Sequence, residues 1–296
     1  MKRIHLIGVS FLVAGLLVGC GSSDGDSSGE NPFGGSTGAG TGVSAVVTPV
    51  TTVEEAEQAV AAFSAINSMG AIGSNFAQNA PSRAPNRSVI SLAPINQSTP
   101  CSNGGTMSIK GDADQSGNMN VVTKFANCNQ QGTVMNGGYD INSQTSGSNV
   151  HMDMEMSNFS YSSAASGNMT MNLRMTIDTN LQYNPMDLTM DGTIVYDIAG
   201  NSGKVGYSNF KVRTQNSALN MSGTISMESS QYSCYNGTYN VTTLEDLRTS
   251  YGSGYSSGVM VINGATYSYN SDSTVTVTLP NGETSVINQN TASVCH

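Results

Sequence analysis

Three groups of side chains in this chain of 296 residues have types and spacings that could do chemistry. His151, Asp153 and Glu155 alternate, so on an extended strand they point the same way and offer an imidazole and two carboxylates to a divalent metal. A solvated polar face is the stronger reading, because adjacent acids on an exposed strand face water, with Arg174 placed to pair with Asp153 or Glu155. The turn Asp112-Ala113-Asp114-Gln115-Ser116-Gly117 carries the oxygen ligands of a calcium loop at its first, third and fifth positions (Asp112, Asp114, Ser116) and glycine at the sixth. Its twelfth position is Thr123, where a bidentate carboxylate belongs, so a polar hairpin turn is the expectation and weak calcium binding the alternative. The third group is the methionines. Met152, Met154 and Met156 share one strand face, and Met169, Met171 and Met175 follow on a second strand, a set of thioethers suited to Cu(I). They share those faces with Val150, Leu173 and Ile177, which predicts deformable core filler instead.

Nothing in the chain frames a nucleophile. Beyond the first residues only His151 and His296 are available as bases, and neither lies beside a serine, cysteine or metal pattern of a known catalytic kind. No enzymatic activity and no resident cofactor are expected. Acids outnumber bases by 20 to 11, which excludes nucleic acid as a natural partner. Only 10% of the residues are charged, so the surface is built from Ser, Thr, Asn, Gln and Gly, a composition of exported β-proteins.

The elements that must position these groups are legible in the hydrophobic period. Residues 53–68 combine strong helix formers with Glu54, Glu55 and Glu57 in the first turn and Thr51 or Thr52 as a cap. Val53, Ala56, Val60, Phe63 and Ile66 make one apolar stripe at helical spacing. The prolines at 81, 85, 94 and 100 predict an irregular crossing with one short strand at 88–92. From Cys101 onward the period is two. Runs at 107–109, 119–125, 150–156, 169–177, 188–198, 219–227, 258–262, 265–269 and 275–279 read as half-buried strands. Asn263-Gly264, Pro280-Asn281-Gly282 and Asn236-Gly237 read as the hairpin turns between them. Strands never alternate with helices, so the expected fold is mainly β: a large curved antiparallel meander sheet or partly open barrel, its apolar face partly covered by one N-terminal amphipathic helix.

Four cysteines follow residue 100, and four allow three pairings. The point midway between Cys101 and Cys128 falls in the polar turn at 112–117, so a hairpin folded there brings the two sulfurs together. That pairs Cys101 with Cys128 and, by elimination, Cys234 with Cys295. No Cys-x-x-Cys spacing supports a metal or haem site.

The first twenty residues give an address. Met1-Lys2-Arg3 precedes an apolar run too short to span a bilayer, ending in Leu17-Val18-Gly19-Cys20. That tetrad resembles the lipobox of bacterial lipoproteins, and the resemblance implies cleavage before Cys20, acylation of Cys20 with diacylglycerol and fatty acid such as palmitate, and a membrane held only through that anchor. Gly21 and Ser22 lack the aspartate that commonly retains such proteins at the inner membrane, so the resemblance implies the outer membrane of the cell envelope. The expected organisation is a signal peptide at 1–19, a lipidated tether rich in Gly and Ser at 20–52, and a single β-rich domain at 53–296. Its function is expected to be that of a structural or interaction module, with an envelope protein as partner. The alternative is a carrier of an apolar ligand, since the layout is similar to that of the half-barrel lipoprotein carriers, and fold alone does not decide between them.

Overall fold

The computed structural model describes residues 47–63, 94–113, 118–164, 167–180, 182, 185–198, 200–216, 218–231, 233–249 and 254–289. Cys20, Asp114, Ser116, Cys295, the export segment and the strand expected at 88–92 lie outside the described residues. Residues 39–62 and 92–296 form one compact unit, which is the one described below.

Helix α1 occupies 53–63. Its start is a capping box: the Glu55 N–H donates to Thr52 Oγ1 at 3.2 Å, and Glu55 Oε2 accepts from the Thr52 N–H at 3.1 Å and the Thr51 N–H at 2.7 Å. Those bonds, the one from the Thr51 backbone foremost, hold the Glu55 carboxyl below its ordinary pKa. Ala56, Ala59, Val60, Ala61, Ala62 and Phe63 are buried, while Val53 is half-buried, so the alanines widen the expected stripe into a broad apolar face. The helix stretch expected at 64–68 lies outside the described residues.

Among the described residues after it, fourteen strands form one antiparallel meander in sequence order. They are β1 (Ile95–Pro100), β2 (Thr106–Ala113), β3 (Met119–Gln130), β4 (Thr133–Ser146), β5 (Asn149–Ser163), β6 (Gly167–Asn180) and β7 (Met186–Ile198). They continue as β8 (Asn201–Gln215), β9 (Ala218–Ser229), β10 (Gly237–Thr249), β11 (Tyr255–Ile262), β12 (Ala265–Tyr269), β13 (Thr274–Thr278) and β14 (Thr284–Asn288). The sheet does not close, and β1 and β14 are its edges.

One face is apolar and buried. Register carries its rows from strand to strand: Val121, Ile141, Met154, Met175, Met190 and Phe210 are successive partners across β3–β8, and Met152, Ile177 and Leu188 form the next row. Met154 is 1% exposed and Met175 8%, as core filler requires, whereas Met171 is half-buried.

The sheet bends at a device used three times. Asn127, Asn158 and Asn209 sit in the left-handed region, with φ of 49°, 49° and 45°, and each marks a bulge in β3, β5 or β8. Their N–H groups donate to the side-chain oxygens of Asn136, Asn172 and Asp191 on the paired strand, at 2.7, 2.7 and 2.6 Å. A short carboxamide tolerates this backbone, and the neighbouring side-chain oxygen satisfies the amide that the bulge strips from the ladder. On the other side Gly137 lies so close that a Cβ there would overlap the Asn158 carbonyl oxygen.

Strands β1, β4, β8, β10 and β14 are absent from what periodicity predicts. The reasons are local. In β8 the bulge between Ser208 and Lys211 shifts the alternation by a residue, β10 is interrupted by register shifts around Glu245, and β4 places Gly137 and Ser143 where its neighbours place large apolar groups. Asn263-Gly264 is the expected two-residue hairpin, with φ of 49° and 89° joining Ile262 to Ala265, and Asn281-Gly282 closes β13–β14. Asn236-Gly237 is not a hairpin turn. β9 and β10 are joined by a longer link holding the short 3-10 helix Ser233–Tyr235, and Gly237 already opens β10. Asn236 Oδ1 instead accepts from the Ser229 N–H at 2.6 Å.

Asn263 does more than turn the chain. Its Oδ1 accepts from the Asn240 N–H at 2.6 Å, its Nδ2 donates to the Thr48 and Thr238 carbonyls at 2.9 and 2.8 Å, and its own carbonyl accepts from the Val50 N–H at 3.1 Å. The extended segment at 48–50 that leads into α1 is thereby fastened to the sheet, and the Tyr267 hydroxyl donates to the Ala56 carbonyl at 3.5 Å beneath the helix.

Candidate functional site

The outward face of the sheet carries the polar side chains in rows set by the same register. One row runs Asp112, Asn120, Asn142, Asp153, Thr176, Thr189, Lys211 and Ser222 across β2–β9. A second runs Gln144, His151, Asp178, Asp187, Arg213 and Asn220 across β4–β9. Bulges and alternation aim both rows away from the apolar core.

His151 lies at the centre. Its Nδ1 is 2.7 Å from Asp178 Oδ1 and its Nε2 is 3.2 Å from Asp153 Oδ2. Only the imidazolium donates at both nitrogens, so the hydrogen bond to Asp178 foremost, with that to Asp153 and the charges of both acids adding to it, raises the His151 pKa above its ordinary value, while desolvation by burial opposes the rise. Thr176 Oγ1 donates to Asp153 Oδ1 at 2.7 Å and holds that carboxylate in place. Glu155, which alternation groups with His151 and Asp153, turns instead to Arg174 Nη2 at 3.3 Å. The Glu155–Arg174 pairing is one that the sequence anticipates, while Asp178 comes to His151 from the neighbouring strand, a partner that only register reveals. On the row beside them the Asp140 pKa is raised, chiefly by desolvation and then by Glu155, with Lys124 opposing.

With the His151 side chain 43% exposed and its carboxylates more so, this linkage contributes only a fraction of about 1 kcal/mol. Its sign is fixed. A histidine whose pKa is raised by folding adds stability that is fully present below its unfolded value near ~6.5 and is lost as pH rises through the folded value. The wild-type protein is therefore expected to be slightly more stable to urea at pH 6 than at pH 8, and His151→Gln to remove that difference. Denaturation midpoints at the two pH values, together with the His151 titration followed by NMR, check it; an ordinary or lowered His151 pKa would contradict the geometry.

Two open depressions lie along these rows. One of about 600 Å³ is lined by Pro94, Asp112, Asn118, Asn120, Asn142 and Gln144, among others. The other, of about 310 Å³, is lined by Asp187, Thr189, Lys211, Arg213, Asn220 and Ser222 with Leu188 and Val212. Most of the residues lining both carry carboxamides, hydroxyls or charges.

The residues expected for calcium are only partly placed. Asp112 is exposed near the end of β2, opposite Asn120, and Asp114 and Ser116 lie outside the described residues. Thr123, the twelfth position, is 2% exposed and faces inward from the middle of β3. Among the described residues no group of three His, Cys, Asp or Glu side chains is placed to hold a metal ion.

Cys101 and Cys128 form a disulfide with Cα atoms 5.3 Å apart, and Cys234 is also disulfide-bonded, its expected partner Cys295 lying outside the described residues. The first pairing is as expected, but the hairpin geometry differs. β2 and β3 pair about residue 116, and Cys101 reaches Cys128 from the turn between β1 and β2, where the Asn103 N–H donates to the Asn129 carbonyl at 2.9 Å and the Asn129 N–H to the Gly104 carbonyl at 2.8 Å.

No protein-family model, no curated protein and no solved structure matches this chain.

Proposed function

We propose that the chain is an exported lipoprotein, held at the outer membrane by acylated Cys20, whose folded part is a structural or interaction module of the cell envelope with no catalytic role. The observation that carries the proposal is the division of the sheet into a filled apolar face and a broad outward face of polar rows. Met152, Met154, Met156, Leu173 and Met175 are each less than a tenth exposed, so the apolar side is occupied by its own side chains. The Cys101–Cys128 bridge and the oxidised state of Cys234 support an oxidising compartment. The lipobox-like tetrad supports the anchor.

Two measurements test this reading. Cys20→Ala is expected to move the protein out of the membrane fraction or leave its leader uncleaved; normal processing with unchanged membrane retention would contradict the anchor. Native mass spectrometry of the protein purified from its own membrane is expected to give the acylated chain with no further lipid or metal. A stoichiometric apolar ligand retained there would overturn the module reading in favour of a carrier.

A further inference from the structure

The Asn-Gly steps of this chain carry chemistry that needs no partner but water. A glycine nitrogen, with no side chain beside it, attacks the preceding asparagine Cγ; its proton leaves with the amide nitrogen as ammonia and a succinimide closes. Water then opens that ring, giving aspartate or isoaspartate, whose main chain is longer by a methylene. The sequence holds five such steps, at Asn103, Asn136, Asn236, Asn263 and Asn281, all within the described residues. Two requirements sort them: space for the glycine to swing its nitrogen onto the side chain, and a carboxamide free to meet it.

Space selects two of the five. At Gly137 a Cβ would overlap the Asn158 carbonyl oxygen, and at Gly237 and Gly264 it would touch Tyr239 and Pro280 at 3.6 Å, whereas at Gly104 and Gly282 it would meet nothing within 4 Å. Side-chain freedom then selects one. Asn281 Oδ1 accepts from the Glu283 N–H at 2.9 Å, just as Asn136, Asn236 and Asn263 accept from the Asn127, Ser229 and Asn240 N–H groups at 2.7, 2.6 and 2.6 Å. The Asn103 carboxamide has no hydrogen-bond partner among the described residues, and Ser102, Asn103, Gly104 and Gly105 are all exposed to water. One backbone bond must open first, from the Gly104 N–H to the Cys101 carbonyl at 3.1 Å; the Gly282 N–H is held likewise by the Leu279 carbonyl at 2.9 Å, so the side-chain bond remains the difference. Opening a single bond in an exposed turn is a local fluctuation, and the Cys101–Cys128 bridge keeps the turn docked meanwhile.

We propose that Asn103 is the Asn-Gly site at which the folded chain deamidates, the Gly104 nitrogen closing on Asn103 Cγ with loss of ammonia and solvent water opening the imide. Either product adds a carboxylate to a chain of net charge −9. The isoaspartate product also lengthens the main chain between the two groups that clasp Asn129, the Asn103 N–H and the Gly104 carbonyl, and so loosens the turn beside the bridge. The reaction does not depend on the lipid anchor, so it stands or falls separately from the envelope reading.

Incubation of the full chain in detergent at mildly alkaline pH, followed by peptide mass mapping and labelling with isoaspartate methyltransferase, tests it without any variant. Position 103 is expected to gain the mass of the amide-to-acid change and the isoaspartate label first. Asn281, which must break one more hydrogen bond, is expected to react at least about fivefold more slowly, and Asn136, Asn236 and Asn263 more slowly still. The same chain unfolded in guanidinium with its disulfides reduced loses every one of these restraints, so the lead of Asn103 is expected to disappear there. A folded chain in which Asn103 stays intact, one in which another Asn-Gly step reacts as fast or faster, or a lead that persists unchanged in guanidinium would each overturn the inference.

Discussion

Met154→Lys is expected to prevent folding, while Met154→Leu and Met175→Leu each cost under about 1.5 kcal/mol. Met154 is 1% exposed and lies between Ile141 and Met175 in a row that continues to Met190 and Phe210, so a lysine there has no route to water and no acid in the row to pair with. An unpaired buried charge costs several kcal/mol or forces the amine to neutralise, which is a large share of a total stability of about 5–15 kcal/mol. Leucine keeps the volume and the apolar character. Expression in folded form and denaturant midpoints measure both arms. The same proteins decide the fate of the thioethers: the wild type is expected to bind no stoichiometric Cu(I). A tight one-to-one Cu(I) complex lost in the Leu variants would make Met154, Met175 and Met190 ligands in place of filler.

Removing the Cys101–Cys128 bridge is the second large effect. The bridge closes a loop with a sequence separation of 27, and the chain-entropy relation assigns such a loop about 3.5 kcal/mol. The Cys101→Ala, Cys128→Ala protein is therefore expected to melt roughly 10 °C below the wild type. The loss is expected to match what reduction of the wild type does at this bridge, since the surrounding turn keeps its backbone bonds between Asn103, Gly104 and Asn129. An unchanged melting temperature would mean that those backbone bonds alone hold the β1–β2 turn against β3.

Some of this molecule was written in local sequence. Alternation placed Met152, Met154 and Met156 on one side of β5 and His151, Asp153 and Glu155 on the other, because side chains of an extended strand can only alternate. Asn263-Gly264 specified its own turn, because both residues accept the left-handed backbone that a two-residue hairpin needs. The Thr-x-x-Glu pattern at Thr52 and Glu55 specified the start of α1, and a full reading of it would have chosen Thr52 over Thr51 as the cap.

What the tertiary structure decided is which strand lies beside which, and in what register. Asp178 is 27 residues from His151, and no period connects them; the pairing of β5 with β6 does. The bulges at Asn127, Asn158 and Asn209 were hidden for the same reason, since each depends on an oxygen from Asn136, Asn172 or Asp191 on a paired strand and, for Asn158, on space left by Gly137 on the strand at its other side. Periodicity reports how a strand meets the core, and it is blind to the strand alongside.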